Sequence, residues 1–244
     1  MGYWTTLHLF DEHAFYSRVL PTLKGEKGSL NQVCLDFLST HSIGGIAHFS
    51  EEKKNQLNQQ FIAQVIEISN AFDPSFRVHL EFNQIADYEE RRCFLNALSG
   101  HYDFCKFFEY YLFETCADFF PHLPIAKAGL LPHFKGDTNS LSYDIICELE
   151  AWNEFLSADN MGIRNWIGHE DVELLYLDKE NLNLDDSPAS KGFLTLLEVA
   201  YNNNLGLLLG VDMQEHRLAL LPAHKLVQQD TWANINHQGL LFNL

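Results

Sequence analysis

The sequence has few basic residues and few cysteines, and both shortages restrict what the protein can be. Its 244 residues include 16 lysines and arginines against 33 aspartates and glutamates, a formal net charge of −17. Nucleic acids and anionic membranes are themselves polyanions, so this charge argues against both as partners. The five cysteines are odd in number, lie among apolar residues and form no C-x-x-C motif. This usage predicts reduced thiols in the core of a cytoplasmic protein.

Signatures of catalysis and of targeting are also missing. The sequence contains no G-x-S-x-G nucleophile elbow, no P-loop, no G-x-G-x-x-G and no kinase motif, which excludes the enzyme classes that these motifs identify. The first residues lack the basic and apolar regions of a secretory signal. The most apolar helix carries five charges and is not expected to span a membrane. No cofactor is expected.

The most aromatic stretch, residues 101–121, is expected to be the centre of the fold. Thirteen of its first twenty residues are apolar or aromatic, and six of them are phenylalanine. On a helical wheel the charged residues fall on one half and leave the other half free of charge. This pattern predicts a helix from about 101 to 120 with one wide face in the core.

The remaining pattern predicts an α+β fold. Apolar residues recur at helical spacing between about residues 11 and 177, which indicates a mainly helical bundle. Residues 2–10 favour a strand, and two apolar runs around a polar turn at 214–216 indicate a C-terminal hairpin. We therefore expect a small antiparallel sheet formed by the N-terminal strand and this hairpin. The chain is interpreted as a single domain over 1–244, with a possible internal boundary within 121–140, where proline and glycine are frequent.

Acidic residues concentrate between positions 141 and 190, and this segment departs most clearly from an average composition. It contains twelve acidic and two basic residues, so it carries −10 of the net charge of −17. Dense carboxylates raise the rate of association with a basic partner, and aromatic residues can anchor that partner. The predicted partner-binding residues are Glu170, Asp171, Glu173, Asp178, Asp185, Asp186 and Trp166, and Trp152, Phe155 and Tyr176 are further aromatic candidates.

These observations favour a non-enzymatic, cytoplasmic interaction module that binds a basic protein partner. A bacterial immunity protein, or an inhibitor of a nuclease-type toxin, has this size, this charge and this lack of catalytic motifs. The analogy is one of general character and rests on no residue motif. An acidic surface that serves solubility alone is the simpler explanation of the same composition.

A second interpretation is a divalent-metal-dependent hydrolase. The segment 121–140 carries His122, His133 and Asp137, and two imidazoles with a carboxylate can bind zinc, with Glu148 or His169 as a further group. The spacing matches no recognised metal motif. Loop histidines that bond to backbone or water are the more frequent case, so no metal is expected.

A third interpretation is a small-molecule binder whose pocket is lined by the aromatic helix. Ligand pockets are mostly apolar and carry a few polar groups. The residues that fit this description are Phe107, Tyr110 and Phe113, on the more polar half of the helix.

Overall fold

The computed structural model confirms an α+β fold that combines helices with an antiparallel sheet. It describes residues 4–42, 44–73, 75–76, 84–136, 139–158, 161–213, 215–223, 225–233, 235 and 237–242. The chain divides into two compact units. Unit 1 comprises Met1–Glu12, Phe113–Trp152 and Met161–Leu244, and unit 2 comprises His13–Leu112 and Asn153–Asn160. The segment 121–140 falls within unit 1, and the single-domain interpretation of the chain stays a prediction.

The described part of the chain forms one sheet of five strands in the order β2-β1-β5-β4-β3. The strands are β1 Thr5–Phe10, β2 Leu123–Ile125, β3 Ser157–Ala158, β4 Met161–Ile167 and β5 Gly206–Val211. The N-terminal strand was predicted, and it runs antiparallel to β5 with Thr5 opposite Val211 and Phe10 opposite Gly206. The other side of β5 pairs antiparallel with β4.

The predicted C-terminal hairpin is wrong. Its first arm is β5, but its intended second arm begins in a short helix, Glu215–Leu218. The physical reason lies in the sheet, because β1 and β4 already occupy both edges of β5. No edge is left there for residues 217–222.

The helices begin and end mostly where local sequence signals place them. Asp87 and Ser187 act as N-caps whose side chains accept backbone N–H groups of the first turn. No helix among the described residues has the length and apolar character that a membrane crossing requires. The α-helices are α1 Glu12–Ala14, α2 Leu20–Leu23, α3 Asn31–Asp36, α4 Glu51–Asn70, α5 Tyr88–Ala97, α6 His101–Thr115, α7 Ser140–Glu150, α8 His169–Leu177, α9 Pro188–Asn202, α10 Glu215–Leu218 and α11 Gln229–Trp232; π-helical turns lie at Phe15–Val19 and Phe37–His41, and 3-10 turns at Leu131–His133 and Lys179–Asn181.

Aromatic side chains fill the core of unit 2. The Phe107 ring lies 5.4 Å from both Phe37 and Phe61, measured between ring centroids. The charged half of α6 is only partly a solvent face: Asp103 and Glu114 are exposed, but other charged residues on it are buried. Lys106 and Glu109 are only 7% and 1% exposed, and Lys106 Nζ lies 3.2 Å from Glu109 Oε2. The two charges are tolerated inside the core because each neutralises the other.

The core of unit 1 lies between the sheet and helices α7, α8 and α9. Alternate residues of β1 and β5, such as Leu7, Leu9, Leu207 and Leu209, are fully buried and face these helices. Helices α7 and α8 each bury one side, as α8 does with Val172 and Leu175, and leave the other side to solvent, whereas α9 is mostly buried. The acidic residues of α7 and α8 therefore lie on helices whose buried sides pack against the sheet.

Candidate functional site

Helix α8 carries the first three predicted partner-binding residues. Glu170 and Asp171 lie in its first turn, where carboxylates interact favourably with the positive end of the helix dipole. Glu170 and Glu173 are exposed and Asp171 is half-buried. Within the described chain, no lysine or arginine forms an ion pair with Glu170 or Glu173. Among the residues that the structure describes, both carboxylates therefore face solvent without a cation close enough to form an ion pair.

Two leucines share the exposed side of α8 with these glutamates. Leu174 is 42% exposed and Leu177 is 69% exposed. Positions 170, 173, 174 and 177 have the i, i+3, i+4, i+7 spacing that places residues along one helical face. Exposed apolar side chains can supply contact area for a partner, and carboxylates beside them can select the partner's charge.

Helix α7 adds a second row of exposed residues beside α8. The Ser142 hydroxyl donates a hydrogen bond of 2.5 Å to Asp178 Oδ2, which ties the start of α7 to the end of α8. Leu141, next to Ser142, is 50% exposed. Asp144 and Glu148 are exposed and follow Leu141 at i+3 and i+7. We call the exposed acids and leucines of the two helices the acidic–leucine face: Leu141, Asp144, Glu148, Glu170, Glu173, Leu174 and Leu177.

Both helices are held in place by local capping and by their buried sides. The Asn139 side chain accepts the N–H of Leu141 at 3.1 Å and so begins α7. Ile145, Ile146 and Leu149 then fill the core beneath the helix. Because the buried sides are fixed, the exposed side presents its residues in a defined arrangement.

Two other predicted acids are engaged within unit 1. Asp178 accepts hydrogen bonds from Ser142 and from Asn181 Nδ2 at 2.9 Å, and these bonds lower its carboxyl pKa. Bonds from Ser187 and Ser190 lower the pKa of Asp185 well below its usual range. Both carboxylates have structural partners, so the structure favours them less than Glu170 and Glu173 as contacts for another protein.

Asp186 and Trp166 complete the predicted set. Asp186 is 91% exposed, and its Oδ1 lies 2.7 Å from Lys191 Nζ. Trp166 is fully buried in β4, with its ring 5.7 Å from that of Phe10. The expectation that Trp166 anchors a partner is therefore corrected, because its side chain is part of the unit 1 core.

The other aromatic candidates are also engaged. The Tyr176 ring stacks on the Tyr201 ring, with their centroids 4.2 Å apart. Lys179 Nζ lies 4.0 Å from the centroid of the Tyr176 ring. The Trp152 ring lies 5.1 Å from the Arg164 guanidinium carbon. Phe155 is buried in unit 2. The exposed large apolar side chains of α7 and α8 are Tyr143 and three leucines, Leu141, Leu174 and Leu177. The sequence interpretation did not consider these residues.

His122 is buried and pairs with His8, an arrangement not expected from the sequence. The Nδ1 atoms of His122 and His8 lie 2.9 and 3.2 Å from the same acceptor, the carbonyl oxygen of Phe119. Since a carbonyl only accepts, each Nδ1 carries a hydrogen. Burial lowers the pKa of both histidines, and in His8 the neighbouring His122 adds to the effect. Both imidazoles are therefore neutral at pH 7.

His133 belongs to the network that begins α9. Its Nδ1 lies 3.2 Å from Asp185 Oδ2 and 3.2 Å from Ser187 Oγ. Ser190 Oγ donates to Asp185 Oδ1 at 2.5 Å. A catalytic triad needs the carboxylate and the serine on opposite nitrogens of the ring. Here both lie at Nδ1, so the network caps a helix and does not activate a nucleophile.

The predicted metal ligands divide between these separate networks. His122 bonds to Phe119, His133 bonds to Asp185, and Asp137 lies outside the described residues. In the described ranges, no group of three or more histidines, cysteines or acids is placed to hold a metal ion. The further candidates Glu148 and His169 lie on α7 and α8 respectively.

The proposed ligand-contacting aromatics are packed into cores. Phe107 and Phe113 are fully buried and Tyr110 is nearly so. Phe107 and Tyr110 contact the Phe37 ring in unit 2, and Phe113 lies 5.4 Å from Phe119 in unit 1. These side chains fill space that a ligand would need, which corrects the expectation of an open aromatic pocket along α6.

A buried carboxylate on α7 was not predicted. Glu150 Oε1 accepts the N–H groups of Leu130 and Leu131, and its side chain lies directly against Gly129. Burial raises its pKa, and the two hydrogen bonds oppose that shift. Its backbone partners show that Glu150 orders the 129–131 turn.

The fold and its exposed surface define an α+β protein with an acidic, partly apolar face on two adjacent helices. Comparisons with protein-family models, with curated proteins and with solved structures find no match to this chain.

Proposed function

We propose that this protein is a non-enzymatic, cytoplasmic interaction module that binds a basic protein partner through the acidic–leucine face. The observation that carries the proposal is the exposed side of α8. There, two exposed glutamates that form no ion pair with a described lysine or arginine lie beside two leucines that are 42% and 69% exposed. The proposal needs no cofactor.

The charge distribution supports a basic partner. The segment 141–190 carries −10 of the net charge of −17. A surface of one sign attracts an oppositely charged partner over about 10 Å at moderate salt and accelerates productive encounters. A cation-lined cleft that binds nucleic acid has the matching charge, so an inhibitor of a nuclease-type toxin is the specific form of the proposal.

Charge reversal with a matched control tests the electrostatic part. Binding partners are captured from lysate at low salt, and the mass of any complex is measured by native mass spectrometry. Association rates of the captured partner are then compared between two triple lysine variants of equal net charge. The test variant replaces Glu170, Asp171 and Glu173, and the control replaces Glu52, Glu89 and Glu90, which are exposed acids in the first turns of α4 and α5.

The test variant should associate at least tenfold more slowly than the control at low salt and show a flatter dependence on ionic strength. Equal rates for the two variants would show that net charge alone matters and would contradict a binding role for α8. A complex with an acidic protein would contradict the proposal entirely.

A further inference from the structure

We infer that the partner docks a basic, amphipathic helix whose apolar stripe covers Leu141, Leu174 and Leu177. This inference rests on the proposed function and specifies what the acidic–leucine face recognises. The three leucines supply the apolar contact, and the carboxylates around them select the charge of the docked segment.

The three leucines lie around one structural contact. The hydrogen bond from Ser142 Oγ to Asp178 Oδ2 brings together the residues that adjoin Leu141 and Leu177 in sequence. Leu174 lies on the same side of α8 as Leu177, three residues earlier. Their exposures of 50%, 42% and 69% leave much of the three side chains in water, whereas leucines such as Leu175 and Leu182 are fully buried in the core of unit 1. Exposed apolar side chains that adjoin one another on a protein surface mark interaction sites.

The carboxylates determine the charge of the occupant. Asp144 and Glu148 continue along α7 from Leu141, and Glu170 and Glu173 precede the leucines of α8. The apolar strip is therefore flanked by acids on both helices. A docked segment must present an apolar stripe with lysine or arginine on its two sides, since an acidic flank would be repelled.

The secondary structure of the face favours a helix as the occupant. An extended segment binds by pairing its backbone with a free strand edge. The acidic–leucine face is formed by α7 and α8, whose backbone groups are bonded within the helices. The partner must therefore contribute side chains, and a helix with apolar residues at i, i+3 or i+4, and i+7 presents them in one stripe.

A synthetic peptide pair provides the probe. The first peptide has 18 residues, with leucines at helical spacing on one side and lysines on the other. The second peptide replaces the leucines by alanines, which keeps its charge and its helix propensity. Both carry a fluorescent label, and binding is measured by anisotropy at low and at physiological salt.

The protein variants separate the apolar and the charged contributions. Leu174→Ser with Leu177→Ser removes the apolar strip of α8. Leu220→Ser with Leu241→Ser is the matched control, because these leucines are 80% and 46% exposed elsewhere in unit 1. The triple lysine variant at Glu170, Asp171 and Glu173 tests the charge, with the control triple variant described above.

The leucine peptide should bind the α8 double variant at least tenfold more weakly than wild type, while the Leu220 and Leu241 control changes its affinity less than twofold. The alanine peptide should bind weakly and equally to all leucine variants. Both peptides should lose affinity for the test triple variant.

Two results would overturn the inferences separately. If the α8 double variant and its control bind the leucine peptide equally, docking of a helix on the leucines is wrong. In that case the electrostatic proposal stands only if the test triple variant still weakens binding. If both triple variants weaken binding equally, α8 is not the binding surface and the proposed function fails.

Discussion

Lowering the pH from 7.5 to 5.5 should destabilise unit 1 through His8 and His122. Both are buried, both donate Nδ1–H to the Phe119 carbonyl, and their ring centroids are 5.1 Å apart. Charging either ring would bury a cation and place it beside the other ring. Desolvation therefore lowers the pKa of both in the folded state.

The sign and size of the effect follow from proton uptake. An unfolded histidine has a pKa of about 6.5, so below that pH the unfolded chain takes up protons that the folded pair does not. The stability that the neutral pair contributes is complete above pH 6.5 and is lost as the pH falls. One pH unit below 6.5, each histidine lowers the free energy of unfolding by about 1.4 kcal/mol. The pair therefore lowers it by at most about 3 kcal/mol at pH 5.5.

Urea unfolding at pH 7.5 and 5.5 measures this loss. His122→Gln should remove about half of the pH-dependent loss, whereas replacement of the exposed His216 by glutamine should leave it unchanged. The pKa of His101 is also lowered, and the pKa values of Asp103 and Glu150 are raised. These residues are present in both variant and wild type, so their contributions cancel in the comparison. An unaltered pH dependence in His122→Gln would refute the reasoning.

Three further predictions concern stability and reactivity. Gly129→Ala should lower the free energy of unfolding by at least about 1 kcal/mol more than Gly136→Ala in urea. Both glycines have positive φ, but a Cβ at 129 would meet the buried Glu150 carboxylate, whereas a Cβ at 136 would meet nothing within 4 Å. Equal losses in the two variants would leave only the backbone effect. Ser187→Ala should lower the unfolding free energy by about 1 kcal/mol, since the N-cap of α9 is lost, and an unchanged midpoint would contradict that role. A thiol reagent at pH 8 should modify the exposed Cys93 in the native protein and spare Cys34, which is buried with its pKa raised to about 12; reaction at Cys34 without denaturant would contradict the core assignment.

Elements with local signals could be predicted from the sequence. Ser187 followed by Pro188 predicts the start of α9, and the structure begins that helix at Pro188 with Ser187 as its cap. Helical spacing of apolar residues was expected to continue to about residue 177, and α8 ends at Leu177. In both cases the signal lies within a few residues of the boundary, where capping chemistry acts.

Elements that depend on distant neighbours could not be predicted. Strand β4 has the sequence MGIRNWI and is largely buried on both sides. It therefore lacks the alternation of apolar and polar residues that marks a half-exposed strand. A register shift between Ile163 and Asn165 disturbs its period further. The expected hairpin failed for a related reason, because the pairing partners of β5 are remote in sequence.

The candidate site was partly predictable. The acids of α8 are close in sequence, so helical spacing alone predicts that Glu170 and Glu173 share a side. The link from Ser142 to Asp178 spans 36 residues and has no local signal. Trp166 shows the same limit, since nothing in its neighbourhood distinguishes an aromatic residue in a core from one on a surface.

The pairing of β1 with β5 also determines the order in which the chain can fold during synthesis. Thr5 lies opposite Val211, so the central ladder of the sheet cannot close until about 200 intervening residues have been made. Most of unit 2 is the continuous segment His13–Leu112, which leaves the ribosome long before β5 does. Until then β1 lacks its long partner and can pair with the three-residue strand β2, which leaves residues 8–10 without a strand partner while most of the helical unit is already available to fold. A chaperone that binds short apolar segments has its natural target in residues 5–10 during that interval.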